Sequence, residues 1–456
     1  MIMKVHKTIY LRYFVLLAFI LVIPAHSMTA QDSVRAFTIK EAQDFALENN
    51  LNIRNARLDV EHAKKVVWEN LSLYLPQVNS GINYNNNLSL QTSLIPAEIF
   101  GGNPGEYIEV QFGTQHNATA SITATQMIIN MPYIIGLQAA SVFKSLSEHN
   151  LEKTEIEIRE LIAQNYYLAL LAEESYEIID SNYQNVLKTI QETEKLYETG
   201  FVEEMDVDNL RVTALSLESS MKSAERQIEL AYRMLKYQLG IDLNMEIELA
   251  EDLPGIIREI DRERTVSIPF QVTDHIDYKL LDTQEELAFM NLKRQKMEYI
   301  PSLDVSFLNN WMAMRNQFDF FSPAENWYYS SVLGFTLNIP IFSSGNKIAK
   351  VSERKIEYEK AVNAKKLTTD GLILQHQQAR ADFISAYDQY LNEKENIKIS
   401  AKVLEKTRIK VREGMASSLD FTQVNSQYLQ TETNYISAMV EMLNAKLRLD
   451  KALNRL

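Results

Sequence analysis

The side chains that could do chemistry are few, and they are spread along the chain. The sequence has no cysteine, which excludes disulfides and thiolate metal sites. Beyond residue 30 the histidines lie far apart and lack the short, regular spacing of a metal site. They are His62, His116, His149, His275 and His376. We interpret them as surface or core residues, and the sequence predicts no catalytic residue, no metal ligand and no cofactor.

Two further motifs suggest chemistry but have simpler structural interpretations. The glycine-rich GGNPG at residues 101–105 lacks the lysine and the strand-to-helix context of a phosphate loop, so we expect a flexible external loop. Met205, Met221 and Met234 are expected to fill packing gaps rather than to bind copper. We therefore predict that the protein is not an enzyme.

Carboxylates follow two glycines at the same spacing. Asp206 comes six residues after Gly200, and Asp420 comes six residues after Gly414, 214 residues further along the chain. Glycine tolerates the positive φ that ends a helix in a tight turn, and an aspartate is favourable in the first turn of the next helix. Each motif therefore predicts the tip of a helical hairpin, and the hairpin is made twice.

The segments after the two tips repeat one hydrophobic pattern. Apolar or small residues recur every three or four positions from Val207 to Leu235, and the matching positions recur from Phe421 to Leu449. A seven-residue repeat held this long indicates coiled helices. Two copies of it indicate an internal duplication.

Proline-free stretches leave room for very long helices before each tip. No proline lies between Pro132 and Pro254 or after Pro340, and proline is the strongest helix breaker. We expect helical arms over roughly residues 133–199 and 346–413, each on the order of 100 Å long at about 1.5 Å per residue.

Opposite charges occupy equivalent positions of the two arms. Asp180 and Glu194 in the first arm correspond to Lys394 and Arg408 in the second. One interpretation is that the repeats lie side by side and form these ion pairs. The other is that all four side chains belong to solvated helix faces, where an exposed pair contributes less than about 1 kcal/mol.

Between the helices lie segments with the period of β-strands. Residues 77–90 alternate apolar side chains with asparagine and serine, and a counterpart begins with Leu303 and Val305. Partner strands are expected over roughly residues 116–129 and 327–341. Four strands are too few for a soluble sandwich, and the smallest transmembrane barrels have about eight. Several chains must therefore contribute to one barrel.

The ends of these strands carry aromatic side chains, as in the girdle of an outer-membrane barrel. Trp311, Trp327 and Tyr329 are examples. The connecting segment 91–113 contains glycine, proline and asparagine, and the segment 314–326 contains proline and asparagine. They are expected to be loops.

The N-terminal residues 1–30 have the pattern of a secretory signal peptide. A basic stretch precedes a short apolar run, and cleavage is expected after Ser27 or Ala30. An uncleaved anchor helix is the alternative. Loss of residues 1–30 removes three positive charges and no negative ones, which lowers the net charge from −14 to −17. This charge argues against a nucleic-acid function, because phosphate binding needs a positive surface.

The sequence resembles the TolC-like outer-membrane efflux proteins. The resemblance covers nearly the whole chain beyond the signal peptide. It depends on FTIKEAQDFALENNLNIRNARLDVEHAKK, on YLPQV and its repeat YIPSL, on TLNIPIFSSGNKIAK, and on the paired Gly-to-Asp turns.

The resemblance implies a mainly α fold with a small transmembrane β part. Internally duplicated coiled-coil hairpins would form an α-barrel, continuous with a trimeric 12-stranded β-barrel to which each chain gives four strands. The protein would be a homotrimer in the lipid of the outer membrane of a Gram-negative bacterium and would extend into the periplasm. Without a cysteine it is not lipidated. A periplasmic adaptor and an inner-membrane transporter are the implied partners.

The expected organisation has four parts. Residues 1–30 are the signal peptide, and residues 31–240 are the first repeat of one helix, two membrane strands and a long helical hairpin. Residues 241–271 are an inter-repeat insert that would join the C-terminal segment in an equatorial belt. Residues 272–456 are the second repeat.

The two tips are the candidate functional sites under this resemblance. Repeated three times, acidic side chains would line a narrow periplasmic aperture that favours cations. The candidates for the aperture are Glu203, Glu204, Asp206, Asp208, Asp420 and Gln423. Candidates for adaptor docking are Gly200, Phe201, Val202, Gly414, Met415 and Ala416. For Asp206 and Asp420 a purely structural role in capping their helices stays open, and the two roles can coexist.

The tips also depart from the family pattern. The best-known member holds its aperture closed partly through an arginine two residues after the second glycine, where this chain has Ala416. It carries a second aspartate one turn after the first, where this chain has Gln423. The same lock cannot be assigned here.

The sequence thus predicts the outer-membrane channel of a tripartite efflux or type I secretion system. The alternative is a trimeric coiled-coil structural or adhesive stalk of the cell envelope. A stalk would not explain the duplication or the strand pairs at equivalent points of the repeats.

Overall fold

The structure is a computed structural model, and it describes residues 35–456. The expected signal peptide and its cleavage after Ser27 or Ala30 lie outside the described residues. The described chain is mainly α-helical with a smaller β part, which confirms the predicted fold class.

Two helices dominate the described chain, and each follows a strand pair. The helices are α1 (Ile39–Asn49), α2 (Leu51–Ser72), α3 (Met131–Glu198), α4 (Glu204–Leu239), α5 (Leu253–Arg258), α6 (Arg262–Val266), α7 (Ile276–Met297), α8 (Asn346–Arg412) and α9 (Ser418–Ala452). With 68 and 67 residues, α3 and α8 confirm the two long arms. Across residues 35–456, no helix is both long and apolar enough to cross a membrane.

Local sequence explains where the long helices begin. Before α3, the side-chain oxygen of Asn130 accepts a hydrogen bond from the N–H of Tyr133 at 3.1 Å. Pro132 lies in the first turn, where its missing N–H removes no helical bond. Helix α8 follows Gly345, which has a φ of +82°. From each start the helix runs without a proline to its tip.

The strands form one four-stranded sheet and two short pairs. They are β1 (Arg35–Phe37), β2 (Gln77–Asn86), β3 (Thr92–Pro96), β4 (Tyr107–Gln111), β5 (His116–Ile129), β6 (Ile247–Leu249), β7 (Ser302–Arg315) and β8 (Tyr328–Asn338). The antiparallel sheet has the order β2-β5-β7-β8, so the β5–β7 pairing joins the two repeats. These four strands confirm the predicted ones. The outer edges of β2 and β8 have no partner strand in the described chain.

The segment between β2 and β5 differs from its prediction as a simple loop. Strands β3 and β4 within it pair antiparallel, with Leu94 opposite Glu109. The pair forms although β3 ends in Pro96, because proline is tolerated at the end of a short edge strand. Residues 91–113 therefore form a small hairpin of their own.

The four-stranded sheet has two different faces, because cross-strand partners project to the same side. The apolar face carries mainly apolar side chains: Val78, Ile82, Tyr84, Ala118, Ala120, Ile122, Ala124, Leu303, Val305, Phe307, Trp311, Ala313, Tyr329, Leu333, Phe335 and Leu337. The polar face carries mainly amides and hydroxyls: Asn79, Asn83, Asn85, Thr119, Ser121, Thr123, Thr125, Ser306, Asn310, Ser330 and Thr336. The apolar face is uncovered in the single chain, where Ile82 is 81% exposed and Phe335 is 68% exposed.

The largest buried cluster lies where the inter-repeat insert meets the helices. Strand β6 of the insert pairs in parallel with β1. The hydroxyl of Tyr166 in α3 donates a hydrogen bond to the carbonyl oxygen of Phe37 at 2.8 Å. Leu253 in the insert and Leu449 in α9 belong to the same buried cluster. Residues 241–271 therefore pack on the C-terminal helix.

Candidate functional site

Both hairpin tips turn in the same way. Gly200 has a φ of +77° and Gly414 a φ of +69°, which confirms the predicted left-handed glycines. After the first glycine, the N–H of Phe201 donates to the carbonyl oxygen of Leu196 at 2.9 Å. After the second, Met415 makes the equivalent bond at 2.7 Å. This pattern satisfies carbonyl groups that the ending helix would leave unpaired.

Asp420 caps the start of its own helix. Its carboxylate accepts hydrogen bonds from the N–H of Ser417 at 3.0 Å and from the Ser417 hydroxyl at 2.8 Å. In return the Ser417 hydroxyl accepts from the N–H of Asp420 at 3.1 Å. The backbone N–H and then the hydroxyl of Ser417 hold the pKa of Asp420 below its usual value. The capping role of Asp420 is therefore present in the structure.

Asp206 does more than its counterpart, because it joins the two tips. Its Oδ2 accepts from the N–H of Glu203 at 3.2 Å, as a capping residue would. Its Oδ1 accepts from the Ser418 hydroxyl at 2.5 Å and from the Ser418 N–H at 3.3 Å, across 212 residues of sequence. Ser418 is only 2% exposed. One carboxylate thus holds the first turns of both α4 and α9.

Within the described residues, Asp206 bonds to the second tip, but Asp420 makes no equivalent bond to the first tip. Glu204 is the residue of the first repeat that corresponds to Ser418. The ionised side chain of Glu204 has no hydrogen to donate, so it cannot replace the Ser418 hydroxyl. Among residues 35–456, Asp420 accepts only from Ser417 at its own tip, whereas Asp206 accepts from both tips.

The predicted acidic residues differ in how their charges are balanced. Asp208 lies 3.2 Å from the guanidinium of Arg211, which also lies 2.8 Å from Glu194 on the neighbouring helix α3. Glu203 and Glu204 are exposed, and neither forms an ion pair among residues 35–456. The exposed carboxylates of the first tip without an ion pair are therefore Glu203 and Glu204, whereas Asp206 is partly buried and bonded to neutral donors.

The predicted docking residues form an exposed end to the molecule. Phe201 is 77% exposed and Met415 is 76% exposed. Val202 is partly buried, and Ala416 packs against a buried cluster that includes Phe421. The structure thus brings both sets of tip residues together at one end. Gln423 is exposed on the turn of α9 that follows Asp420.

A buried amide pair joins the hairpins further from the tips. The side-chain nitrogen of Asn425 donates to the side-chain oxygen of Asn182 at 2.9 Å. Asn182 is 3% exposed and Asn425 is 1% exposed. The sequence patterns did not predict this pair. The available signal was the position of Asn182 four residues before Val186, on the buried side of α3.

The ion pairs proposed between the two arms are not formed within the described chain. Glu194 binds Arg211, and Arg408 lies 3.4 Å from Glu405 on its own helix. Asp180 accepts from Gln184, one turn further along α3. Lys394 donates to the hydroxyl of Tyr390 on its own helix. Within one chain the side-by-side pairing is therefore wrong for these side chains, because each one has a partner on its own helix or its own hairpin.

His275 and His376 have structural roles. His275 is 4% exposed, and its Nδ1 accepts from the N–H of Asp277 at the start of α7. Burial lowers the pKa of His275. The ring of His376 stacks on Phe270 with centroids 4.5 Å apart. Within residues 35–456, no cluster of three or more His, Asp or Glu side chains has the geometry to hold a metal ion.

The chain is similar in sequence pattern and fold to known outer-membrane channels. A family model described as outer membrane efflux protein matches residues 43–240 and 282–455. No curated protein matches the chain. Among solved structures, CusC is 16% identical, with 91% of each chain covered and a TM-score of 0.73.

Two further similar structures are those of outer membrane channels. The CmeC channel of Campylobacter jejuni is 16% identical over 91% of this chain and 85% of that one, with a TM-score of 0.72. The open state of the MtrE channel of Neisseria gonorrhoeae is 17% identical over 91% and 88%, with a TM-score of 0.71. At these identities the three structures show a shared fold.

Proposed function

Because the chain belongs to the outer membrane efflux protein family, we propose that it is the outer-membrane channel of a tripartite efflux or type I secretion system. The protein is located in the outer membrane and reaches into the periplasm. Substrate would enter from a periplasmic adaptor and an inner-membrane transporter and leave to the exterior. The transporter would supply the energy, and the channel itself would carry out no catalysis.

The observation that carries this proposal is the shape and chemistry of the sheet. It has one apolar and one polar face, two free outer edges, and a direct continuation into helices on the order of 100 Å long at about 1.5 Å per residue. Four strands cannot enclose a passage alone, since the smallest transmembrane barrels have about eight. A homotrimer would join the edges into a barrel with lipid outside and amide and hydroxyl groups inside.

The tips would form the periplasmic aperture of this channel. Three copies of Glu203 and Glu204 would surround the opening with negative charge, which favours cations over anions. Phe201 and Met415 would offer exposed apolar contacts to the adaptor. The bond from Ser418 to Asp206 would keep the two tips of each protomer together, in place of the arginine contact that Ala416 cannot make.

Single-channel conductance of the detergent-purified protein in planar bilayers tests the proposal. A channel gives discrete current steps, and cross-linking of the same preparation gives a trimer. A coiled-coil stalk gives a trimer without current. Current steps that are absent from an otherwise trimeric, folded preparation would therefore favour the stalk.

A further inference from the structure

Loop 316–327, which joins β7 to β8, folds back over the apolar face of the sheet. Phe320 is 8% exposed and packs on Ala118 and Ala313. The two alanines are cross-strand partners, and their small side chains leave space for the ring. The loop is thus seated on the sheet itself.

An aromatic cluster fixes the loop in this place. The ring of Tyr84 contacts the rings of Phe318 and Phe320 edge to face, with centroids 5.5 Å and 5.8 Å away. The indole N–H of Trp327 donates to the carbonyl oxygen of Phe320 at 3.4 Å. Edge-to-face contacts of this kind stabilise the packing beyond the apolar area that they bury.

A buried arginine holds the base of the loop. Arg315 is 8% exposed, and its guanidinium donates to the carbonyl oxygen of Asn326 at 2.7 Å. Its Nε lies 3.3 Å from the carboxylate of Asp319 and 3.8 Å from that of Glu325. The loop is therefore an ordered element whose charges are compensated close to the sheet.

Two phenylalanines project outward from this ordered base. Phe318 is 62% exposed and Phe321 is 91% exposed. They continue the apolar face beyond Trp311 and Tyr329, which are cross-strand partners on that face. Residues 316–327 contain no lysine or arginine, so the loop has no group suited to lipid phosphates. The exposed rings of Phe318 and Phe321 match the apolar part of a lipid.

The loop lies at the height expected for the edge of the apolar band of a membrane barrel. Ala313 follows Leu303 by ten positions on β7, which is about 33 Å along the strand at about 3.3 Å per residue. A strand tilted by about 40° rises about 25 Å over that length, close to the height of about 25 Å of the outward-facing apolar band of such barrels. The loop thus lies where the apolar band ends.

We propose that loop 316–327 is a membrane-interface anchor. In it, Phe318 and Phe321 enter the outer leaflet of the outer membrane at the boundary between acyl chains and headgroups. The anchor sets the depth of the sheet in the bilayer. This inference rests on the proposed function, which places the apolar face against lipid.

The absence of native cysteine allows a direct test with single labels. Phe321→Cys carries an environment-sensitive fluorophore in phospholipid vesicles, and quenching is compared for nitroxide lipids labelled at the headgroup or deep in the chain. The reference sites are Leu333→Cys on the apolar face and Met415→Cys at the tip. We expect the headgroup nitroxide to quench the label at 321 about twofold more than the deep one, since the apolar band ends there. Iodide in the water should quench the label at 321 less than it quenches the label at 415.

Three results would overturn the anchor. Iodide quenching at 321 equal to that at 415 would place the loop in water. Quenching by neither iodide nor nitroxide would show that protein, such as a second copy of this chain, covers it. An unchanged profile at 333 after Phe318→Ser and Phe321→Ser, compared with the control Ala324→Ser, would show that the loop does not set depth.

The labelled preparation is also tested for conductance, which separates the two proposals. Current steps without lipid quenching at 321 would reject the anchor and leave the channel intact. A preparation without current, in which the label at 333 also escapes the deep nitroxide, would reject the channel and its membrane sheet together.

Discussion

Asp206 and Ser418 join the two hairpin tips of one chain, with Asp206 Oδ1 2.5 Å from the Ser418 hydroxyl oxygen. A hydrogen bond to a charged group contributes about 1.5–3 kcal/mol to stability. Because the two residues lie on different hairpins, this bond resists separation of the tips. Asp206 therefore combines a capping role with a role in positioning its neighbour.

Ser418→Ala should weaken the junction between the tips. The substitution removes the hydroxyl donor and leaves only the longer backbone bond to Asp206, so we expect a larger or more often open periplasmic aperture. Single-channel recordings should show a higher mean conductance or open probability than the unsubstituted protein. Ser426→Ala is the matched control, because its hydroxyl bonds only to Thr422 on the same helix. Equal recordings for both variants would contradict a holding role for Ser418.

Glu203→Gln combined with Glu204→Gln should reduce cation selectivity. The change removes two exposed carboxylates of the first tip that have no ion pair, while Asp206 stays in place and Asp208 keeps its partner Arg211. The reversal potential in a salt gradient measures the effect. The difference in reversal potential between this variant and the unsubstituted protein should shrink in about 1 M salt, where the Debye length falls to about 3 Å. Glu229→Gln, further along α4, is the control and should leave the reversal potential in place.

The buried amide pair predicts a coupled effect on stability. Asn425→Ala should cost about 1–3 kcal/mol, because it leaves the Asn182 oxygen buried without its donor. Asn182→Ala should cost a similar amount, and the double variant should cost less than the sum. Thermal unfolding in detergent measures all three. Strictly additive losses would show that the two side chains do not depend on each other.

Replacing Glu432 should stabilise the protein, and the gain in stability should depend on pH. Burial is the main cause that raises the pKa of Glu432, although the hydroxyl of Tyr428 donates to it at 3.0 Å. A raised pKa in the folded state means that ionisation is unfavourable to folding, so the cost grows as pH rises above about 4.5. Glu432→Gln should therefore raise the unfolding temperature at pH 7 and have little effect near pH 4. Glu441→Gln, at an exposed position of the same helix, is the control for the loss of a carboxylate.

Three glycines with similar φ should respond differently to alanine. Gly200 and Gly414 have open space where a Cβ would stand, so each change should cost only the conformational strain of about 1–2 kcal/mol. At Gly240 the added Cβ would meet the carbonyl oxygen of Asn49 at 2.6 Å. Gly240→Ala should therefore lower the unfolding temperature most. Equal losses at all three positions would mean that the backbone near Asn49 yields easily.

The long-range outline of the fold could be predicted because its signals are repeated. The heptads after Gly200 and Gly414, the absence of proline and the period of two around Tyr84 each occur in two copies. These patterns gave the bounds of α3 and α8 within two residues. The β3–β4 hairpin escaped prediction because Pro96 and the flanking glycines outweighed a short alternation.

The chemistry between the tips could not be predicted in the same way. The Asp206–Ser418 bond depends on how two hairpins pack, and the spacing within each tip gives no information about that packing. The same reason explains why Asp180 and Lys394 do not pair within one chain. Equivalent positions in a duplication are neighbours in an alignment, whereas neighbours in space are decided by which helix packs on which.

The free edges of β2 and β8 have a consequence for biogenesis. Within residues 35–456 each edge presents a row of backbone groups without partners, and exposing such groups to hydrocarbon costs several kcal/mol apiece. A solitary protomer would meet that cost along both edges if it entered the bilayer first. We therefore expect protomers to associate before or during insertion, so that the order of assembly follows from the width of the sheet.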